Sequence, residues 1–204
     1  MKGKMAFFRA YDPQTDAELV QRIRERVTED ADALKQTGIN CLRVYDMQIE
    51  GRSYLFAFVA AGEAREEAVE GALLAATGIL SGWTKGQHVY EFKLHPGDTY
   101  DDLQSQGIVI GVREGMLDEY IRLHDEQPQI IHDLCYQNGF RKSSIFVVDL
   151  HKTYLLQFQD FYGKENPELY EDPIYQEWLR VTGECQDPLP GEKFWKRMRS
   201  VVEI

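Results

Sequence analysis

Apolar positions along the chain switch between a period of two and a period near 3.6, and the switches fall at glycine, proline or acidic turns. Met5 to Tyr11 is an apolar run closed by Asp12-Pro13, the pattern of a strand followed by a turn and a helix start. From about Asp16 to Gln36, Leu19 or Val20, Ile23, Val27, Ala31 and Leu34 recur at spacings of three and four, with charges between them, and the run stops at Gly38. This predicts an amphipathic helix. Cys41 to Gln48 and Ser53 to Ala61 predict a hairpin turning at Ile49-Glu50-Gly51-Arg52. An Ala-rich helix over Glu63 to Leu80 and a strand over Gln87 to Leu94 complete the order βαββαβ.

The polar, acidic stretch from His95 to Asp102, with Pro96 and Gly97, suits a linker, assigned to residues 96–106. A second cycle follows: a short strand from Gly107 to Arg113, a long helix from Glu114 to Asn138, a hairpin of Arg141 to Leu150 and Thr153 to Tyr162, a helix from Pro173 to Thr182, and a closing strand from Phe194 to Ile204. Pro128 removes a backbone donor from the long helix and should kink or restart it. The order is again βαββαβ.

The two cycles also match in sequence. Lys35-Gln36-Thr37-Gly38-Ile39 aligns with Tyr136-Gln137-Asn138-Gly139-Phe140, Tyr54-Leu55-Phe56-Ala57-Phe58 with Tyr154-Leu155-Leu156-Gln157-Phe158, and Val89-Tyr90-Glu91-Phe92 with Val201-Val202-Glu203-Ile204. Two copies of a ferredoxin-like unit in one chain can pair as two subunits would. The expected fold is therefore α+β, two ferredoxin-like βαββαβ repeats forming a pseudo-dimeric α+β barrel. Residues 1–95 form a degenerate scaffold repeat, and residues 107–204 form the repeat that carries the site.

Composition narrows the function classes. With 204 residues and 43% hydrophobic content, the chain can bury sizeable cores. Its 34 acidic residues outnumber 23 basic ones for a net charge of −11, without a basic block, which disfavours nucleic acid as a partner. Cys41, Cys135 and Cys185 are odd in number and widely spaced, which indicates neither a disulfide framework nor a structural zinc site. No run is long and apolar enough for a membrane span, and no signal sequence is recognisable, so a cytoplasmic protein is expected.

Candidate chemistry concentrates on the long helix. Leu117, Tyr120, Ile121, His124, Ile131, Leu134 and Cys135 form one inward stripe, with Tyr120 and His124 a turn apart. An unpaired polar group in an apolar setting costs roughly 1–3 kcal/mol, so a hydrogen-bonded core histidine and a ligand-facing histidine are the two alternatives. The repeat supplies a control. Tyr120 corresponds to Leu19 and His124 to Ile23, so the fold does not require the polar pair. His124, Asp125, Glu126, His132 and Asp133 are rich in ligand types, but the two histidines lack the i, i+4 spacing of a helical zinc pair, and no metal is assigned. His88, His95 and His151 fall in strand, linker and turn, and phosphate loops and nucleophile motifs are absent. Gly183 to Gly191, with Pro188 and Pro190, reads as a loop, either a cover for a pocket near Trp178 or an ordinary connection.

Asp118-Glu119-Tyr120 through His124, Pro128, the Gly139 helix stop and Tyr175-Gln176-Glu177-Trp178 together resemble the L-rhamnose mutarotase family, small ferredoxin-like proteins that pair as dimeric α+β barrels. The resemblance covers Gly107 to Ile204 and implies a sugar pocket lined by Tyr120 and Trp178, with His124 as proton donor and no cofactor. The family's second Trp is Leu179 here, and the Tyr of its second strand is Ser143; both positions would line the pocket. The implied activity is exchange of monosaccharide anomers, on L-rhamnose or another 6-deoxyhexose. The alternatives are a non-catalytic sugar or small-molecule binder on the same barrel and, by fold analogy alone, an oxygenase or dehydratase-like enzyme. The expected partner is a monosaccharide, and homo-oligomerisation beyond the internal pair is compatible with the fold.

Overall fold

A computed structural model describes residues 3–61, 67, 69–71, 73, 82–92, 103–163 and 166–204. The chain divides into two compact units, one of Met1–His88 with Met198–Ile204 and the other Val89–Arg197. Each contains an antiparallel sheet with helices, and the α+β class with two ferredoxin-like repeats is what the molecule shows.

Unit 1 is built on β1 (Lys4–Tyr11), β2 (Ile39–Ile49) and β3 (Arg52–Ala61), joined by α1 (Leu19–Glu29) and α2 (Ala31–Gln36). The β2–β3 turn falls at Glu50 and Gly51, with φ of 49° and 81°; two positive φ values match the right-handed twist of a two-residue hairpin. The sheet order is β11-β2-β3-β1-β4, with β4 at Thr84–Lys85 and β11 at Arg199–Glu203. Helix α1 turns Leu19, Ile23 and Val27 inward, and each burial is worth roughly 1.5–3 kcal/mol. They join Met5, Leu34, Leu42, Val44, Leu55, Ala57 and Val59 in one aliphatic cluster. The single helix expected over Asp16 to Gln36 is two, broken at Asp30. Of the helix expected over Glu63 to Leu80, Glu67, Val69, Glu70, Gly71 and Leu73 are helical, and the rest lies outside the described residues.

In unit 2 the sheet order is β10-β6-β8-β7-β5, with β9 also on β6. The strands are β5 (Gln87–Phe92), β6 (Leu103–Val112), β7 (Phe140–Asp149), β8 (Thr153–Tyr162), β9 (Gln186–Asp187) and β10 (Lys196–Arg197). Strand β6 starts at Leu103, inside the stretch expected to be linker, because Gln104 to Gln106 continue its ladder with Gln159 to Phe161 of β8. Residues 96–102 of that linker lie outside the described residues. Pro128 restarts the long helix: α3 (Leu117–Asp125) ends before it, and α4 (Gln129–Gln137) begins after it with Pro128 extended at the N-cap. A 3₁₀ turn (Pro167–Glu171) leads to α5 (Pro173–Gly183), where the Asp172 carboxylate accepts from the amides of Ile174 and Tyr175 and Pro173 supplies the first helical φ.

The closing strand expected over Phe194 to Ile204 is two short ones, because Lys196–Arg197 (β10) pairs with β6 in its own repeat while Arg199–Glu203 (β11) pairs with β2 in the sheet of unit 1. Strand β5, which closes the first repeat in sequence, joins the sheet of unit 2. The sequence order of elements is therefore that of two successive halves, while β11 lies beside β2 and β5 beside β7.

Candidate functional site

Unit 2 encloses a cavity of about 740 Å³ on the helix-covered face of its sheet, within the range of roughly 300–1,000 Å³ common for ligand sites. His124, Tyr120, Trp178, Ser143 and Leu179, the five residues singled out in the sequence, all line it. Helix α3 brings Tyr120 and His124 to one wall, α5 brings Trp178 and Leu179, and β7 brings Ser143 to the floor.

The imidazole of His124 sits among rings. Centroids of Tyr120, Tyr90 and Trp178 lie 4.3, 4.9 and 5.2 Å from its own, the last two steeply inclined. Its Nδ1 is 3.0 Å from the backbone oxygen of Tyr120. A carbonyl only accepts, so Nδ1 carries the proton and donates it, leaving Nε2 as the acceptor of a neutral ring. Nε2 has no hydrogen bond with any described residue. Burial pushes the imidazole down to about 4, against the smaller upward pulls of the Tyr120 carbonyl and Asp125; nearby His132 adds to the depression. Near neutral pH the ring is an uncharged base. Tyr120 is buried, which pushes its phenol well above the ordinary range, against a smaller downward pull from the Gln186 side chain.

Several lining residues were not among the candidates for chemistry read from the sequence. Tyr90, on β5, donates its hydroxyl proton to the Gln127 carboxamide at 2.7 Å, so the repeat read as scaffold contributes Tyr90 and Phe92 to this wall. The loop read as either a cover or an ordinary connection is pinned, because Gln186 and Asp187 pair with Val112 and Gly111 of β6. A Cβ on Gly111 would lie 2.6 Å from the Asp187 backbone oxygen, so only glycine permits the approach that brings Gln186 to Tyr120. Trp195 and the exposed Phe194 complete the apolar lining.

The floor is polar. Gln106 donates to the Gln159 Oε1 at 2.8 Å, and Gln157 donates to the Ser143 hydroxyl at 2.8 Å. The Gln106 carbonyl oxygen is buried with no hydrogen-bond partner among the described residues, which costs roughly 1–3 kcal/mol. Cross-strand register was the missed signal, since Gln159 faces both Gln106 and Ser143 while Gln157 faces Ile108 and Ile145. No aspartate or glutamate lines the cavity, and no three His, Cys, Asp or Glu side chains converge as metal ligands among the described residues. Arg180 and Arg197 also reach the lining, Arg180 in ion pairs with Glu177 and Glu184. Between the floor and the aromatic walls the site suits a ligand with hydroxyl groups and an apolar face.

Residues 106–204 match the family model of L-rhamnose mutarotase. The match with the L-rhamnose mutarotase family spans the C-terminal half, where the cavity-lining residues lie except for Tyr90 and Phe92. No curated protein compared with the chain matches it. Among solved structures, a protein assigned as a monooxygenase from Fusobacterium nucleatum is 10% identical with a TM-score of 0.51, covering 100% of this chain and 95% of that one. Another so assigned, from Lactobacillus acidophilus, is 10% identical with a TM-score of 0.53 and covers 99% and 96%. At that identity the likeness is one of fold, and the fold spans both units. No helix among the described residues is long and apolar enough to cross a membrane.

Proposed function

We propose that this protein exchanges the anomers of a neutral monosaccharide, L-rhamnose or another 6-deoxyhexose, with His124 moving the proton. The observation that carries the proposal is the unoccupied acceptor Nε2 of a neutral imidazole on the cavity wall, in the half that matches the mutarotase family.

Ring opening of an aldose removes the proton from the anomeric hydroxyl, breaks the bond between C1 and the ring oxygen, and places a proton on that oxygen. The two oxygens share one carbon, so one imidazole reaches both. Nε2 accepts the hydroxyl proton, the ring is briefly imidazolium, and the same proton passes to the ring oxygen as the aldehyde forms. Rotation about C1–C2 and the reverse steps give the other anomer. Nδ1, held by the Tyr120 carbonyl, keeps the ring oriented throughout. Rings of Tyr90 and Trp178 lie within the distance of about 6 Å at which aromatic faces attract a cation, which offsets part of the cost of the transient charge. Trp178 also offers a flat surface to the sugar's C–H face. The proposed setting is a reducing cytoplasm, which suits Cys41, Cys135 and Cys185 as thiols outside any disulfide among the described residues.

Anomer exchange measured by saturation-transfer NMR tests the proposal. His124→Ala and His124→Asn should each lower the exchange rate by roughly 10²–10⁴-fold, because the amide keeps a hydrogen bond but cannot shuttle a proton near neutral pH. Folded His124→Asn with the wild-type rate would end this mechanism. Sugar binding without exchange in the wild type would leave a binding protein.

A further inference from the structure

We propose that Gln106, Gln157 and Gln159, together with Ser143, form a hydroxyl-reading ledge on the sheet that decides which aldose the cavity accepts; this rests on the sugar-site assignment above and extends it to residues that His124 chemistry does not use. All four side chains line the cavity, and Gln106, Gln159 and Ser143 are buried. They form a contiguous set: Gln106, Gln159 and Ser143 are opposed in one row across β6, β8 and β7, and Gln157 stands two residues along β8.

Hydrogen bonding within the ledge is incomplete in a particular sense. Gln159 accepts from Gln106 and Ser143 accepts from Gln157, while the Gln106 carbonyl is an acceptor with no donor. A buried carboxamide oxygen calls for a donor, and a sugar hydroxyl is a donor that can also accept from a neighbouring amide N–H. A carboxylate placed on the ledge would leave that oxygen unsatisfied, whatever Arg180 and Arg197 offer elsewhere in the lining, and a cation would find no acidic side chain among the described lining residues. The chemistry selected is that of a neutral polyol presenting adjacent hydroxyls to the sheet.

The fold does not require these groups. In unit 1 the residues at the same register positions are Met5 for Gln106, Leu42 for Ser143, Ala57 for Gln157 and Val59 for Gln159, all buried. A sheet that packs well with four apolar residues in one copy carries four polar ones in the other, where they line the cavity. Burying polar groups without full pairing weakens a core, so their presence points to a ligand as the missing partner.

The test is calorimetric titration of wild type, Gln106→Met, Gln159→Met and the double variant with L-rhamnose, a panel of aldohexoses and 6-deoxyhexoses, and analogues lacking one ring hydroxyl each. Methionine keeps the volume and is the residue unit 1 already uses at the Gln106 position. Wild type should bind the preferred sugar roughly 10–100-fold more tightly than one of the deoxy analogues, the scale of one hydrogen bond to a buried polar group. Gln106→Met or Gln159→Met should erase that discrimination, and the double variant, which leaves neither carboxamide stranded, should erase it with no fall in unfolding midpoint. Full affinity and full discrimination in both single variants would overturn the ledge, as would a fall in midpoint with binding intact. Discrimination by the ledge in a wild-type protein that shows no anomer exchange would support the ledge and sink the mutarotase mechanism alone. Failure of every aldose to bind would overturn both.

Discussion

The two units offer one sheet-and-helix frame filled in two ways. In unit 1 the helix-facing side is a continuous aliphatic cluster in which Leu19 and Ile23 of α1 meet Met5, Leu42, Ala57 and Val59. In unit 2 the corresponding side is split into two clusters, one around Ile110, Tyr120, Val147 and Leu155 and one around Phe92, Ile131, Phe140 and Phe161. Residues of both clusters line the cavity, whose floor is the glutamine and Ser143 row. Under the proposed function, the contrast is the cost of a binding site. Apolar contacts that hold unit 1 together are replaced in unit 2 by polar groups and space, and stability is given up where chemistry is gained.

The severest way to break the comparison is to separate the copies. Residues 103–204 alone lack β5, which edges the unit 2 sheet beside β7, and carry β11, which belongs beside β2. That fragment should aggregate or self-associate, as light scattering would reveal, because it exposes apolar surface and an unpaired strand edge. A folded monomer with an intact sugar site would break the picture of exchanged strands.

Swapping one position between the copies is the next largest effect. Leu42→Ser in unit 1 should cost about 3–6 kcal/mol, combining a lost buried side chain with an unpartnered hydroxyl. Ser143→Leu in unit 2 grows into the cavity and should change stability by less than about 1 kcal/mol while abolishing sugar binding. Urea unfolding of both variants gives the stability arm, and equal costs at the two sites would show that the cavity is not a relaxed, ligand-ready space.

Acid sharpens the contrast through His124, whose place in unit 1 is taken by Ile23. The unfolded imidazole takes up a proton near its ordinary 6.5, and the folded one resists until about 4 because burial disfavours its charge. Between those values the unfolded chain binds more protons, so the His124 contribution to stability is intact above pH 6.5 and is lost as the pH falls toward 4. The loss amounts to about 3 kcal/mol at the low end. Unfolding midpoints measured across this window should fall less steeply in His124→Asn than in wild type; matching slopes would mean that His124 is not the buried base described here.

The smallest effect belongs to Ile23→Val. Loss of one methylene from the unit 1 core should cost about 0.5–1.5 kcal/mol in urea unfolding and leave anomer exchange at the wild-type rate. A drop in exchange would mean that unit 1 does more than pack.

Periodicity alone was enough to order the elements, to restart the helix at Pro128 and to place Tyr120 and His124 on an inward stripe, because i, i+4 spacing and a missing backbone donor act within one segment. The aligned copies also displayed Gln157 opposite Ala57, a polar residue where the fold accepts alanine. The ledge as a whole was not legible. Gln106 and Gln159 are adjacent only through the register of β6 on β8, and register depends on pairing across many intervening residues. Tyr90 reaches His124 because the strand that closes the first repeat joins the sheet of the second, and no local pattern encodes which edge a strand will find. Likewise, the tautomer and the depressed basicity of His124 come from the carbonyl, the rings and the burial that tertiary packing assembles around it. The sequence determined which side chains face inward; only tertiary structure decided which of them meet, and desolvation then set their chemistry.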